Sequence, residues 1–384
     1  MTHRERALAA LSHQEPDRVP IDLSAAAGDF ITIPAYRALL DYLGFSGRPI
    51  ATLRRDMQYA VVDEDILRRF DVDFRRVDLG APDHGADEAL PDDTYRDAWG
   101  ILRRRPPGGM YYDLVPGSSP LREATSIGDL DHYPWPDPED PGLFRGLRER
   151  AQRVHEETDY AVVLCASVEF FGLAALLRGW EAFYMDLAAD QEFAAALMDR
   201  CLEYHLTVVR RALAEAGDFA DVVVASRDDF GAMDRPLVRP ETFRKLILPR
   251  LRRAFGLYRE LTPAKRFMHC DGAVRDLIPD MLDAGLEALN PIQVSAAGMG
   301  DTRRLKQDFG DRLTFWGGID THHVLPLGSP EDVCREVQGR ILDLAPGGGY
   351  VGCSVHSLQA DVPPANMVAM FEALAEYGRY PLKG

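Results

Sequence analysis

Arg266-Phe267-Met268-His269-Cys270-Asp271-Gly272 is a short apolar run that breaks off into metal-type ligands. Its brevity and the glycine behind it suit a buried strand better than a helix. A strand that delivers His, Cys and carboxylate at its C-terminal end has the form of a catalytic rim. The pattern returns further along the chain in Gly349-Tyr350-Val351-Gly352-Cys353-Ser354-Val355-His356, which ends in Cys353 and His356.

These are two of eight short apolar runs. The others are Val19–Leu23, Val72–Leu79, Ala161–Ala166, Asp221–Ala225, Ala288–Ile292 and Leu313–Ile319. Most are continuously apolar rather than alternating, as in a parallel sheet covered on both faces. Amphipathic helical patterns lie between them. Ser329-Pro330-Glu331-Asp332 predicts a helix start, with a capping hydroxyl, a first-turn proline and acids at the positive end of the dipole. Phe309-Gly310 predicts a helix end with a glycine C-cap. Strand and helix alternating in this way predict an α/β fold, a (β/α)₈ TIM barrel.

Residues 81–141 break that rhythm. They are rich in Pro, Gly, Asp and Tyr, and Pro106-Pro107-Gly108-Gly109 is a hairpin signal. The reading is one domain over 1–384 with a β-rich insertion after the second run: either a lid whose Tyr111 and Tyr112 touch substrate or, the favoured alternative, a segment packed against the barrel. Composition narrows the partners. The 384 residues carry a formal charge of −17, which disfavours nucleic acid and anionic membranes. The triple arginine Arg103-Arg104-Arg105 reads as a solvated hairpin edge. No window approaches the ~20 apolar residues of a membrane span, and the start of the chain lacks a signal-peptide core. Five cysteines in no framework spacing fit a reducing compartment, so a cytoplasmic protein is expected.

In a barrel the chemistry gathers where the strands end. The runs deliver Glu169, then Asp228 with Asp229, then His269, Cys270 and Asp271, then Asn290 with Gln293, then Asp320, and last Cys353 with His356. Zinc takes thiolate, imidazole and carboxylate, with three protein ligands and an open position in catalytic sites. His269 and Asp271 with Cys353 or His356 meet that need. The plainer alternative makes His269 and Asp271 hydrogen-bonding groups for a polar substrate, with Cys270 packed as a small hydrophobe. Asp228 and Asp229 are a proton-transferring carboxylate pair, a site for a cationic group of the substrate, or helix caps. His322 and His323 read as structural loop residues. No phosphate loop and no Gly-x-Ser-x-Gly elbow occur.

Several stretches together resemble the uroporphyrinogen decarboxylase superfamily. They are Arg4-Glu5-Arg6, Glu15 to Pro20, Pro134-Trp135-Pro136-Asp137, Leu177 to Glu181, His269 to Gly272, Leu289 to Gln293, Phe315 to Asp320 and His356 to Asn366. The chain looks most like the branch of corrinoid-dependent methyltransferases and O-demethylase components. The decarboxylase proper carries an Arg-Gln-Ala-Gly-Arg segment whose arginines receive the substrate's carboxylates. The corresponding Leu23-Ser24-Ala25-Ala26-Ala27-Gly28-Asp29 has no arginine. The methyltransferase branch holds zinc with His-x-Cys and a distant Cys. His269 matches the His, Asp271 stands at the Cys position, Cys270 is displaced by one, and Cys353 or His356 supplies the distant ligand.

The resemblance therefore implies an enzyme that moves a methyl group from a small methylated donor, such as a methoxylated aromatic, to cobalamin held by a partner corrinoid protein. Zinc is expected at His269, Asp271 and Cys353 or His356. Asp228, Asp229 and Glu169 are expected to orient substrate or manage protons, with Asn290, Gln293, Asp320 and Tyr112 contacting it. The alternatives are a decarboxylase and a non-catalytic tetrapyrrole-binding barrel. Family habit suggests a homodimer.

Overall fold

The computed structural model describes residues 1–383. Seven parallel strands follow one another in chain order around a single sheet. They are β1 (Phe74–Asp78), β2 (Ala161–Cys165), β3 (Val222–Ser226), β4 (Lys265–His269), β5 (Ala288–Asn290), β6 (Thr314–Trp316) and β7 (Tyr350–Val351). The Val19–Leu23 run closes the ring. On one side Asp22 N donates to Gly352 O at 3.1 Å and Gly352 N to Pro20 O at 2.8 Å. On the other, Asp73 N donates to Ile21 O at 2.9 Å. The expected (β/α)₈ architecture is thus present, with the first run as a bridging segment rather than a full ladder.

The pleat explains why the runs are apolar throughout. In β2, Ala161, Val163 and Cys165 point into the barrel while Val162 and Leu164 pack under the helices. The interior is filled by Phe74, Phe267 and Trp316 with small residues between them. Ala25, Ala26 and Ala27 enter the same cluster, so the loop after Leu23 plugs the barrel from its mouth.

Between β1 and β2 lies a four-stranded antiparallel sheet of Glu88–Leu90, Thr94–Arg96, Leu102–Arg104 and Asp113–Leu114. The Pro106–Gly109 turn closes with Gly109 N on Pro106 O at 2.8 Å, and it joins the last two strands. This sheet is fastened to a hairpin of Thr52–Arg54 and Tyr59–Ala60 near the mouth. Tyr112 N donates to Asp56 O at 2.9 Å, and the Arg55 guanidinium lies 4.3 Å over the Tyr95 ring.

Helix Pro330–Leu344 starts at a Ser329 capping box, as its sequence predicts. Helix Thr302–Phe309 ends before Gly310, but that glycine is right-handed, at φ −70°. What excludes a side chain there is the Lys306 carbonyl, 2.5 Å from an ideal Cβ. No helix among the described residues is long and apolar enough to cross a membrane.

The N-terminal motifs build the floor of the barrel. Fully buried Asp73 accepts from Arg6 Nη1 at 2.7 Å, Arg18 Nη1 at 2.8 Å and Ile21 N at 2.7 Å, with His3 Nδ1 at 2.8 Å. The charges of Arg4-Glu5-Arg6 and Asp17-Arg18 are therefore structural.

Candidate functional site

His269 ends β4 in the same inward phase as Phe267, and the parallel register sets it beside Asn290 of β5. Its Nδ1 donates to Asn290 Oδ1 at 2.7 Å. The Asn290 amide is itself oriented, because Nδ2 donates to Trp316 O at 3.2 Å. That turns His269 Nε2 toward Asp271, 3.4 Å from Oδ2. His356 Nε2 reaches the same oxygen at 3.7 Å. One ligand atom from each of His269, Asp271 and His356 lies within 4.8 Å of the other two. Asp271 Oδ1 is buried without a hydrogen-bond partner.

Neighbouring loops hold this group in place. Asp271 N donates to Asp229 Oδ1 at 2.8 Å, and Gly272 N to Gln293 Oε1 at 2.7 Å. Gly28, at φ +94°, lies against the His269–Asn290 pair, where a Cβ would stand 2.5 Å from both side chains. Only glycine can approach that closely.

The charges are interdependent. Burial alone would lower the His269 pKa, yet Asp271, Asp229 and the Asn290 hydrogen bond together raise it to about 9. Burial would raise Asp271, but His269, His356 and His322 hold it at about 2. Asp229 is pushed up to about 6 by burial and by the charge of Asp271, against the pull of His269.

A cleft of about 430 Å³ opens beside the three residues, lined by Asp271, Gln293, Thr321, His322, His356, Ser357, Gln359, Asp361 and Val362. Gln293 is thus at the cleft, as the sequence reading expects. Other expected residues lie elsewhere. Cys353 is 1% exposed and packs inside the barrel with Phe267, Trp316 and Val351, outside the His269 group. Burial raises its thiol well above the ordinary range, with Asp29 and Asp22 adding to the effect, so it resists becoming a thiolate. Cys270 is turned away, its sulfur accepting from Phe230 N at 3.2 Å.

Asp228 caps the neighbouring helix Phe171–Arg178 instead of facing the cleft. It accepts from Phe170 N at 2.9 Å, Phe171 N at 3.3 Å and Gly172 N at 2.8 Å. Burial still pushes it up to about 7. Asn290 is fully buried and orients His269. Asp320 shapes its own loop, accepting from His322 N at 2.7 Å and pairing with His323 at 3.0 Å. Tyr112 belongs to the insertion, its hydroxyl on Asp93 and its ring edge-on to Tyr95. It is the preceding Tyr111 that comes within electrostatic reach of the cleft residue Asp361.

Glu169 stands at the mouth paired with Arg227, and that arginine holds its carboxylate low against the effect of burial. His322, read from sequence as structural, is a cleft residue, its Nδ1 2.7 Å from Ser295 Oγ.

The model of the family described as "Uroporphyrinogen decarboxylase (URO-D)" matches residues 98–377. The chain belongs to this family. Two curated relatives share its length and are named uroporphyrinogen decarboxylase. The one from Alkalilimnicola ehrlichii is 25% identical over 390 residues, covering 96% of this chain and 93% of the relative. The one from Pseudoalteromonas atlantica is 23% identical over 395 residues, covering 99% and 98%. Among solved structures, a methyltransferase from Methanosarcina mazei superposes with a TM-score of 0.64 over 98% of this chain and 99% of its own, at 18% identity. That likeness shows the fold.

Proposed function

We propose that the chain is a zinc-assisted, corrinoid-dependent methyltransferase, acting on a small methyl donor with the corrinoid of a partner protein as acceptor. The observation that carries this is the convergence of His269 Nε2, His356 Nε2 and Asp271 Oδ2 on one point. The donors suit zinc: two imidazoles and a carboxylate leave a fourth position open. The orphaned Asp271 Oδ1 supplies spare ligand capacity. Zinc held there would act as a Lewis acid on the oxygen of a methyl ether, improving the leaving group.

The chain's own residues do the rest. Asn290 fixes the tautomer and plane of His269, a second layer that metal sites need as much as their ligands. Asp229 orients the backbone of Asp271 and stands 3.9 Å from His269 Nε2. Gln293 anchors Gly272 and presents its amide at the cleft wall. Glu169 offers a carboxylate across the mouth for substrate positioning.

A second reading rests on the two curated relatives, namely decarboxylation of a porphyrinogen or another acid. Against it stands the plug loop Leu23–Asp29, which corresponds to the decarboxylase's arginine segment but carries no arginine and buries Asp29 there instead. The test is metal analysis combined with methyl transfer to cob(I)alamin. We expect one zinc per chain and loss of zinc and transfer in His269→Ala. A metal-free protein, or unchanged transfer by His269→Ala, overturns the reading. Release of carbon dioxide from uroporphyrinogen establishes the second one.

A further inference from the structure

The plug loop is held between two buried carboxyl groups. Asp22, before it, is 1% exposed, and Asp29, after it, is 0% exposed. Asp22 is well supplied with donors. Its Oδ1 accepts from Ala25 N at 3.2 Å, and its Oδ2 from Ala26 N at 3.2 Å and Trp316 Nε1 at 3.1 Å. Asp29 is not: both of its oxygens are buried without a partner. The two carboxyl groups lie in hydrogen-bond contact. Two carboxylates offer only acceptors, so that contact is a bond only with a proton between them.

The surroundings do not supply a free cation. Arg76 of β1 lies within electrostatic reach of Asp29, but its nitrogens are taken by Asp78 at 2.7 Å and by the Ala26 carbonyl at 2.5 Å. Cys165 of β2 donates through sulfur to Ala25 O at 3.8 Å, and Cys353, beyond β7, lies within electrostatic reach of both carboxyls. Burial keeps both thiols protonated. β4 and β5 meet the plug through His269 and Asn290, which lie against Gly28, and β3 lines the interior with Val222 and Val224. Tyr59 of the mouth hairpin stacks on Phe30 at 4.5 Å. Burial, and then the charge of Asp22, push Asp29 well above the ordinary carboxylate range. Asp22, with three donors, is therefore the charged member of the pair and Asp29 the protonated one.

The loop itself is under strain. Ser24 is left-handed at φ +64°, and its hydroxyl is buried without a partner. The far end of the loop bears on the site. Gly28 packs against His269 and Asn290, and its carbonyl accepts from Ser357 Oγ at 3.3 Å.

We propose that one proton shared by Asp22 and Asp29 is the latch that keeps residues 24–28 in the barrel mouth, and that its loss releases the plug and uncovers the inner side of the His269 group. The latch rests on burial and hydrogen bonding and is independent of the methyl-transfer reading. Opening the loop returns Asp29 to water, where its carboxyl falls back to the ordinary value near 3.9 and gives up its proton. The closed form holds that proton, so each opening releases one. Closure is therefore strongest in acid and weakens as pH rises, by about tenfold per pH unit up to the pKa of the closed pair.

Hydrogen exchange of the full-length protein at the Ser24, Ala25 and Ala26 amides reads that equilibrium. After correction for the intrinsic rate, we expect exchange there to rise about tenfold per pH unit between about pH 5 and pH 7. The Val223 and Val224 amides of β3 should stay flat, which separates release of the plug from unfolding. Asp29→Asn keeps a donor to Asp22 and cannot titrate, so its plug amides should be flat with pH and as protected as those of the parent in acid. Asp29→Ala leaves Asp22 its three donors and removes the second carboxyl, and should be flat as well. The parent's own slope decides the matter without either variant. A flat parent profile, a slope kept by both variants, or an equal slope at Val223 overturns the latch. Protection that is flat in pH but grows with sodium concentration also overturns it, placing a cation where the proton is proposed.

Discussion

The two ends of this barrel treat charge in opposite ways. At the floor, Asp73 is fully buried and both of its oxygens are taken, by Arg6, Arg18, His3 and the Ile21 amide. At the mouth, Asp271 Oδ1, Arg227 Nε and the Tyr111 hydroxyl are buried with nothing to bond. A buried charge is tolerable only when paired, so the Asp73 cluster is built for stability. The unpaired groups of the mouth make sense once a ligand is counted among their partners. The division follows the barrel's construction, in which catalysis is confined to the ends of the strands.

Removing Asp73 is the severest way to break that contrast. Asp73→Ala leaves Arg6 and Arg18, both nearly buried, facing each other without a shared acceptor. Breaking a buried ion pair from one side costs about 3–5 kcal/mol. Urea unfolding should show that loss, while zinc binding at the proposed site is unchanged in the folded fraction. A cost below about 1 kcal/mol would mean that the floor does not depend on its pairing.

Asn290→Ala probes the other end. It removes the acceptor that fixes His269 without touching a ligand. Loss of an outer-layer partner typically weakens metal binding about tenfold to a hundredfold. Competition with a chelator should show that drop with little change in unfolding. Unchanged zinc affinity would reduce Asn290 to a packing residue and weaken the case for a built metal site.

How far these ends can be read from sequence differs for physical reasons. The eight apolar runs are all barrel positions, because a strand buried on both faces must be apolar along its whole length. His269, Asp271 and His356 are legible as strand-end candidates, and the fold brings them together. Asp228 is not: the same rim position serves a catalytic acid or a cap, and only the three amides around it decide. Tyr111 and Tyr112 are neighbours of one type, and sequence cannot say that the Tyr112 hydroxyl is taken by Asp93 within the insertion. His322 was obscured by its loop setting, since its cleft position depends on a turn formed by Asp320. Arg227 carries no motif at all, and its pairing with Glu169 depends on the fold.

A smaller effect sharpens the comparison through pH. Burial would raise Asp73, but His3, Arg18, Arg6 and the Ile21 amide outweigh it and hold the carboxylate low. Its contribution is therefore full above the unfolded value near 3.9 and is lost as pH falls through its folded pKa. Asp228 runs the other way. Burial pushes it up to about 7, so its contribution is full in acid and is lost as pH rises through about 7. Asp228→Ala, which strips a helix start of its acceptor, should cost about 1–2 kcal/mol. Unfolding measured from pH 8 down to pH 3 should show that cost growing as pH drops through about 7, while the Asp73 contribution fades only at the acid end. Identical pH profiles for the two variants would erase the distinction.

Cys353→Ala should do least, and the small effect is informative. A thiolate ligand would make this residue indispensable to the metal, since removing one of three ligands abolishes a catalytic zinc site. The structure instead gives Cys353 apolar neighbours, near-complete burial and a thiol that burial keeps protonated. Its loss removes one small buried group, about 1 kcal/mol of packing. Zinc stoichiometry should stay at one per chain, with affinity within about twofold of the parent, because the changed residue contacts no ligand. His356→Ala, made alongside, should lose the metal. If Cys353→Ala lost zinc and His356→Ala kept it, the third ligand would be the thiolate, and the mouth would resemble a sulfur-rich site rather than the oxygen- and nitrogen-lined one described above.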